Sequence, residues 1–210
     1  MDRDDTKPDF AALLTSRLCH DLLSPISALH NAVELMEEED SKELHAQAMS
    51  LIGDSARQAA HKLSFFRIAF GSAGGSGKTE ARAVKEAASG YMSDQRANLS
   101  WRCSMPDMTL KRAKIALNLL LLMAAALPRG GEVILSVDEE KIGVAAIGDR
   151  LIFDEAIDGL LTGATRADNS REIVADLIAR LVEEEGGQLD VSRLDGQISV
   201  SVQFGVAAAA

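Results

Sequence analysis

The chain of 210 residues is poor in several things, and each shortage excludes a class of protein. Its two cysteines, Cys19 and Cys103, are too few for a disulfide framework or a closed zinc site. Aromatic residues make up only 4%, so the core must be packed from small aliphatic side chains, as helical bundles are. Positive charge is short as well: 22 Lys and Arg stand against 32 Asp and Glu, giving a net charge of -10 and a pI near 4.9. That balance speaks against a nucleic-acid binder. No apolar run reaches the roughly 20 residues that span a bilayer. The longest, Ile115 to Leu127, contains Asn118 and stops at Pro128, and predicts a buried helix. The N-terminal stretch lacks the basic-then-apolar pattern of a secretory signal, so the expected location is the reducing cytoplasm, away from any membrane. At roughly 100 to 200 residues per domain, the length suits one large domain or two small ones.

What is present begins with helical periodicity. From Pro8, suited to a first turn, to Met36 the apolar residues Leu14, Leu18, Leu22, Ile26, Leu29, Val33 and Met36 recur at spacings of three and four. The acidic run Glu37 to Asp40 interrupts them, and Asp40 with Glu43 resembles a capping box opening a second helix. The expected stripe of that helix is Leu44, Ala48, Leu51 or Ile52, Ser55, Ala59, Leu63, Phe66 and Phe70, ended by Gly71. A Gly/Ser linker, Ser72 to Gly77, follows. Residues 1–73 thus predict an all-α helical hairpin. Two helices alone leave too much apolar surface open, so a second copy is expected to complete a dimeric four-helix bundle.

Past the linker the periodicity alternates. Helices are expected at Glu80 to Tyr91, Thr109 to Leu127 and Arg171 to Glu185, with strands at Leu99 to Cys103, Glu132 to Val137, Lys141 to Ile147, Gln188 to Ser192 and Gln197 to Phe204. Asp195-Gly196 marks a hairpin between the last two strands. Residues 79–206 therefore predict an α+β sandwich, helices on one face of a sheet, and the closing Gly205 to Ala210 reads as a tail.

The chemistry concentrates on the first helix, in Arg17-Leu18-Cys19-His20-Asp21-Leu22-Leu23-Ser24-Pro25. At roughly 100° per residue, His20 lies about 180° from the apolar stripe, beside Leu13, Ser16, Leu23, Ser24 and Ser27, and is expected to face solvent. Pro25 cannot donate to the Asp21 carbonyl, so the helix should bend within a turn of the histidine, at a cost of about 3 kcal/mol. An exposed imidazole beside a carboxylate has one nitrogen free as a nucleophile once the other is fixed, and phosphoryl transfer is the natural use. Leu13 and Leu23 would give a partner an apolar grip, and Arg17 would attract an acidic pocket. On the residues alone, a plain surface histidine on a kinked helix competes with that reading. His30, His45 and His61 lack both the following acid and the proline, and read as surface residues. Cys19 reads as a small buried residue, and Asp149 and Asp154 as loop or cap positions.

His20-Asp21-Leu22-Leu23-Ser24-Pro25 resembles the H-box of sensor histidine kinases, carried on the first helix of a dimerisation and phosphotransfer hairpin. Leu117-Asn118-Leu119-Leu120, followed by Pro128-Arg129-Gly130-Gly131 and a strand, resembles the N-box helix of the kinase (GHKL) ATPase domain. Ile173 through Arg180-Leu181-Val182 to Gly186-Gly187-Gln188-Leu189 is similar to that domain's last helix and strand. Three departures stand beside the likeness. Leu122 occupies the position of the magnesium-holding Asn, and leucine cannot ligate a hard cation. Gly148-Asp149-Arg150-Leu151 lacks the glycines of the adenine-reading motif. Arg166-Ala167-Asp168-Asn169-Ser170 replaces the phosphate-cradling Gly-x-Gly turn. Gly77-Lys78-Thr79 mimics the end of a P-loop, but Ser72 stands where its first glycine belongs and a helix precedes it instead of a strand.

A phosphoacceptor hairpin joined to a disabled ATP domain resembles the ChpT family of histidine phosphotransferases. The resemblance implies that His20 takes a phosphoryl group from the receiver of a hybrid histidine kinase. From there the group passes to receiver domains of CtrA-like and CpdR-like response regulators in cell-cycle control, without ATP-dependent kinase activity. It implies Asp21 as orienting and acid-base support and Leu13, Ser16, Arg17, Leu23, Ser24 and Ser27 as the receiver-docking face. It also implies no metal or ATP site in this chain, the Mg²⁺ coming with the partner receiver. Two other readings stay open at this point: a working histidine kinase with a divergent ATP site, and a scaffold or inhibitor of two-component proteins that carries no phosphate.

Overall fold

A computed structural model describes residues 9–38, 41–71 and 77–205. The expected helix start at Pro8, the Asp40 cap, most of the Gly/Ser linker and the tail beyond Gly205 lie outside the described residues.

Two long antiparallel helices, α1 (Phe10–Glu38) and α2 (Lys42–Ala69), form the hairpin. The residue at the start of α2 is Ser41, without a side-chain cap bond. Gly71 closes the hairpin because a Cβ there would stand 2.1 Å from the Arg67 carbonyl oxygen. Along α1 the inward line runs Leu14, Leu18, Leu22, Pro25, Leu29, Ala32 and Met36, again at spacings of three and four. The expected stripe is thus corrected at two places: Ile26 is 51% and Val33 44% exposed, while Pro25 and Ala32 turn inward. On α2, of the alternatives Leu51 and Ile52 it is Ile52 that is half-buried while Leu51 is 44% exposed, and the expected Leu63 is 55% exposed, with Phe65 and Ala69 buried instead. The cause is a neighbour on a second side: the last turns of α2 pack against the rest of the chain as well as against α1.

That remainder runs β1 (Lys78–Glu80), α3 (Ala81–Ser93), β2 (Ala97–Cys103), β3 (Asp107–Thr109), α4 (Leu110–Ala125), β4 (Gly131–Val137), β5 (Lys141–Ile147), α5 (Ala156–Leu161), α6 (Ile173–Glu184), β6 (Gln188–Leu194) and β7 (Gln197–Gln203). A five-stranded mixed sheet has the order β2-β4-β5-β7-β6, with β2 and β4 parallel and the other neighbours antiparallel; β1 and β3 pair separately. Trp101, Leu135, Val144, Val200 and Val191 form one cross-strand row on the face that the helices cover. Gly196, at φ +70°, supplies the left-handed position of the β6–β7 turn. Lys78 and Thr79, the end of the P-loop mimic, lie in β1 paired with Thr109 and Met108, so they open no phosphate-binding helix.

Helix α4 joins the two parts. From Ile115 to Ala124 it is apolar on every side but for Asn118, because that stretch is covered by the sheet, α6, α3 and the end of α2. Its Thr109 cap accepts from the Arg112 N–H at 3.2 Å. Phe65, Phe66 and Ala69 of α2 share one core with Tyr91 of α3 and with α4, and the Phe65 and Tyr91 rings stack 4.4 Å apart. Asn118, fully buried, donates through Nδ2 to the Ala69 carbonyl at 3.0 Å, satisfying an orphan acceptor at the end of α2. Leu122 is buried in the same core. Among the described residues no helix is long and apolar enough to cross a membrane.

Candidate functional site

The site is built on α1, midway along the hairpin. His20 projects from the helix with 81% of its side chain exposed. Asp21 beside it is turned inward, 15% exposed, and its two carboxylate oxygens have separate tasks. Oδ1 lies 3.1 Å from His20 Nδ1, and Oδ2 accepts from Arg17 Nε at 2.7 Å. Arg17, one turn back, is itself only 21% exposed, so it braces the carboxylate from beneath. A carboxylate accepts only, so it selects the tautomer with hydrogen on Nδ1 and leaves the Nε2 lone pair free toward solvent.

Pro25 has no N–H, so the Asp21 carbonyl loses its helical partner, as the sequence predicts. The structure supplies another: Lys62 of α2 donates from Nζ to that oxygen at 2.7 Å. Burial pushes the Lys62 ammonium below its ordinary value, and the negative charges of Asp21 and Asp94 act in the opposite sense. Tyr91, buried beneath, is pushed well above the ordinary phenol value, mainly by burial and then by Asp21. Next to Lys62, His61 Nδ1 lies 3.1 Å from Asp94 Oδ2 at the end of α3.

Of the expected docking residues, Ser16, Leu23, Ser24 and Ser27 are exposed around His20, Leu23 at 60%. Leu13 is on the same side of the helix but is half-buried against the core, because α6 packs over the first turns of α1. There Arg180 covers the Phe10 ring at 4.6 Å. Arg17 is engaged by Asp21, not free. Cys19, read as buried, is exposed. Its position next to His20 on the outward side of α1 explains that. His30 pairs with Glu34 at 3.3 Å on the surface, whereas His45 reaches the Met36 carbonyl at 3.2 Å and His61 is a half-buried tether, so neither of the last two is a plain surface residue. Asp154 caps α5 through the Ala156 N–H at 2.9 Å, and Asp149 is exposed. Sequence reasoning missed Lys62, Tyr91 and Asp94. The orphaned Asp21 carbonyl was the one signal for Lys62, but naming its donor needs the register of α1 against α2.

An exposed imidazole held beside a braced carboxylate on a helical hairpin, fused to a helix-on-sheet unit, is the build of a histidine phosphotransfer protein. Known proteins agree with that class. Residues 81–197 match the histidine phosphotransferase C-terminal domain, and the chain belongs to the histidine phosphotransferase family. It is 40% identical to the protein phosphotransferase ChpT of Brucella abortus (strain 2308) over 124 residues, 59% of this chain and 58% of that protein. The match thus spans little more than half the length of that curated relative. A solved bacterial phosphotransferase superposes with a TM-score of 0.83 at 30% identity, covering 93% of this chain and 96% of the other. His20 lies outside the residues that match the C-terminal domain.

Proposed function

We propose that this chain is a phosphorelay histidine phosphotransferase in which His20 Nε2 carries the phosphoryl group between receiver aspartates. One observation carries the reading: Nδ1 is held 3.1 Å from the Asp21 carboxylate while the imidazole is 81% exposed. In the forward step the Nε2 lone pair attacks phosphorus of an aspartyl phosphate. The N–P bond forms, the P–O bond to the receiver breaks, and the aspartate leaves as carboxylate. The Nδ1 proton stays in place, its positive charge compensated by Asp21. Attack by a second receiver's carboxylate reverses the bonding. Such exchange needs in-line placement more than acid-base power, which suits an exposed, pre-oriented ring.

The name of the Brucella relative, a protein phosphotransferase, and the family match support this reading. The finer parts rest on the resemblance to the ChpT family. The donor is a hybrid histidine kinase receiver, the acceptors are response-regulator receivers of the CtrA and CpdR kinds, and the Mg²⁺ for transfer comes with the receiver. Ser16, Leu23, Ser24 and Ser27 form the contact face around His20. Leu122, buried where a magnesium-holding Asn is expected, supports transfer without ATP-dependent autophosphorylation. The hairpin is proposed to pair with a second copy in the cytoplasm. Supporting this, Met49 and Leu63 on α2 and Ile26 and Val33 on α1 repeat at heptad spacing and are exposed.

Purified protein mixed with labelled ATP alone, and separately with a labelled phospho-receiver, tests the reading. Acid-labile label is expected from the receiver only and is expected to vanish in His20→Ala. Label from ATP alone, or label persisting in His20→Ala, would contradict it.

A further inference from the structure

Lys62 lies on α2, 41 residues from Asp21, yet its ammonium takes the place of the hydrogen bond that Pro25 removes from α1. The acceptor is the carbonyl of the residue whose carboxylate orients His20. An unpartnered carbonyl at a proline kink recruits water or lets the helix open further. Here a charged donor at 2.7 Å holds it, and charge-assisted bonds are among the stronger ones. Asp21 is consequently pinned at three points: its carbonyl by Lys62, Oδ2 by Arg17 at 2.7 Å, and Oδ1 against His20 at 3.1 Å. Two of these pins are local to α1. Only Lys62 ties the acid to the opposite helix.

We propose that Lys62 is a positioning residue for phosphoryl transfer, fixing the Asp21 backbone where Pro25 leaves its carbonyl without a helical donor, so that the carboxylate holds His20 with Nδ1 protonated and Nε2 free. The inference rests on the proposed role of His20 and adds a cause for its orientation. Lys62 touches neither the imidazole nor an incoming phosphoryl group, so it acts through Asp21. The partial burial of Lys62 and its place between Asp21, Asp94 and Arg17 fit a fixed ammonium rather than a mobile surface lysine.

The test uses the full chain and the variant Lys62→Met, which keeps the stem and removes the donor. The rate of transfer from a phospho-receiver at saturation should fall about tenfold or more, as expected for a displaced reacting group, while receiver KM changes less than about twofold. In the unphosphorylated protein, ¹⁵N shifts of His20 should move from the Nδ1–H tautomer toward a mixture, and Lys62→Arg should restore part of both signals. The decisive comparison is Pro25→Ala, which returns an N–H to the Asp21 carbonyl: in that background the cost of Lys62→Met should shrink. An unchanged rate and tautomer in Lys62→Met, or an undiminished cost in the Pro25→Ala background, would overturn the proposal. Lys62→Leu, which likewise removes the donor, replaces Lys62→Met if the latter does not fold, and the same outcomes decide. If wild-type protein takes no phosphate on His20, the transfer reading fails, while the tautomer measurement still judges Lys62 by itself.

Discussion

Asp176→Asn probes the electrostatic tie that seats α6. The Asp176 side chain is 2% exposed and its oxygens are fully used. Oδ1 accepts from Arg166 Nη1 at 3.0 Å and Arg180 Nε at 3.2 Å, and Oδ2 accepts from Arg180 Nη2 at 3.2 Å and, more weakly, from the Ala167 N–H at 3.5 Å. Asparagine keeps the Oδ1 bonds but turns an NH₂ group toward the two donors that faced Oδ2. Both arginines are 42% exposed, so solvent takes up much of their lost pairing, about 1 kcal/mol in all. The buried donor-to-donor contact adds about 1 to 2 kcal/mol. The expected total of about 2 to 3 kcal/mol corresponds to a Tm lower by about 4 to 12 °C for a chain of this size. Burial pushes the Asp176 carboxyl up, but the hydrogen bonds of Arg180 and Arg166, the Arg180 charge and the Ala167 N–H pull it further down, to a net value below the ordinary one. A carboxyl lowered in the folded state stabilises above its unfolded value, about 3.9, and that stability is lost as pH falls through the lower folded value. Urea titrations followed by circular dichroism should therefore show a constant gap between wild type and variant from about pH 5 to 8, closing below about pH 4. A gap under about 0.5 kcal/mol at pH 7, or one that does not close in acid, refutes the reasoning.

Two other perturbations test the packing and the assembly. Phe65→Ala empties a fully buried position stacked on Tyr91 and should cost about 3 to 5 kcal/mol in urea unfolding, loosening α2 from α3; a loss under about 1 kcal/mol would mean the interface contributes little. Ile26→Glu combined with Leu63→Glu places charge on the exposed heptad positions. The pair should convert a dimer to a monomer in sedimentation at micromolar concentration with helicity retained, and a wild-type chain already monomeric there would contradict the proposed pairing.

Where a segment has one environment along its length, its sequence declares it. Strand β5 has the expected bounds, Lys141 to Ile147, because each of its faces keeps one neighbour throughout. The Ile115 to Leu127 run, apolar but for Asn118, forms the buried part of α4 up to Ala125 for the same reason. Helix α2 defeats simple periodicity, since its second half packs against α1 on one side and against α3 and α4 on another, which brings Phe65 and Ala69 inside and leaves Leu63 out. β1 and β3, at three residues each, and α5, at six, are too short to show any period, and none was expected. At the site, His20, Asp21 and Pro25 are legible because they lie within about one and a half helix turns of each other. Lys62 is not, because a single long-range donor leaves no trace in local spacing, and Leu13 misleads because α6 covers that part of the helix.

The central claim is that the nucleophile is Nε2 of His20, freed because Asp21 holds Nδ1. The most direct measurement is ³¹P and ¹⁵N NMR of the full chain phosphorylated by a phospho-receiver, with ¹⁵N-labelled histidine. The account predicts a single phosphohistidine with phosphorus coupled to Nε2 of His20 and none in His20→Ala. Phosphorus on Nδ1, on another histidine, or absent from the chain altogether would contradict it.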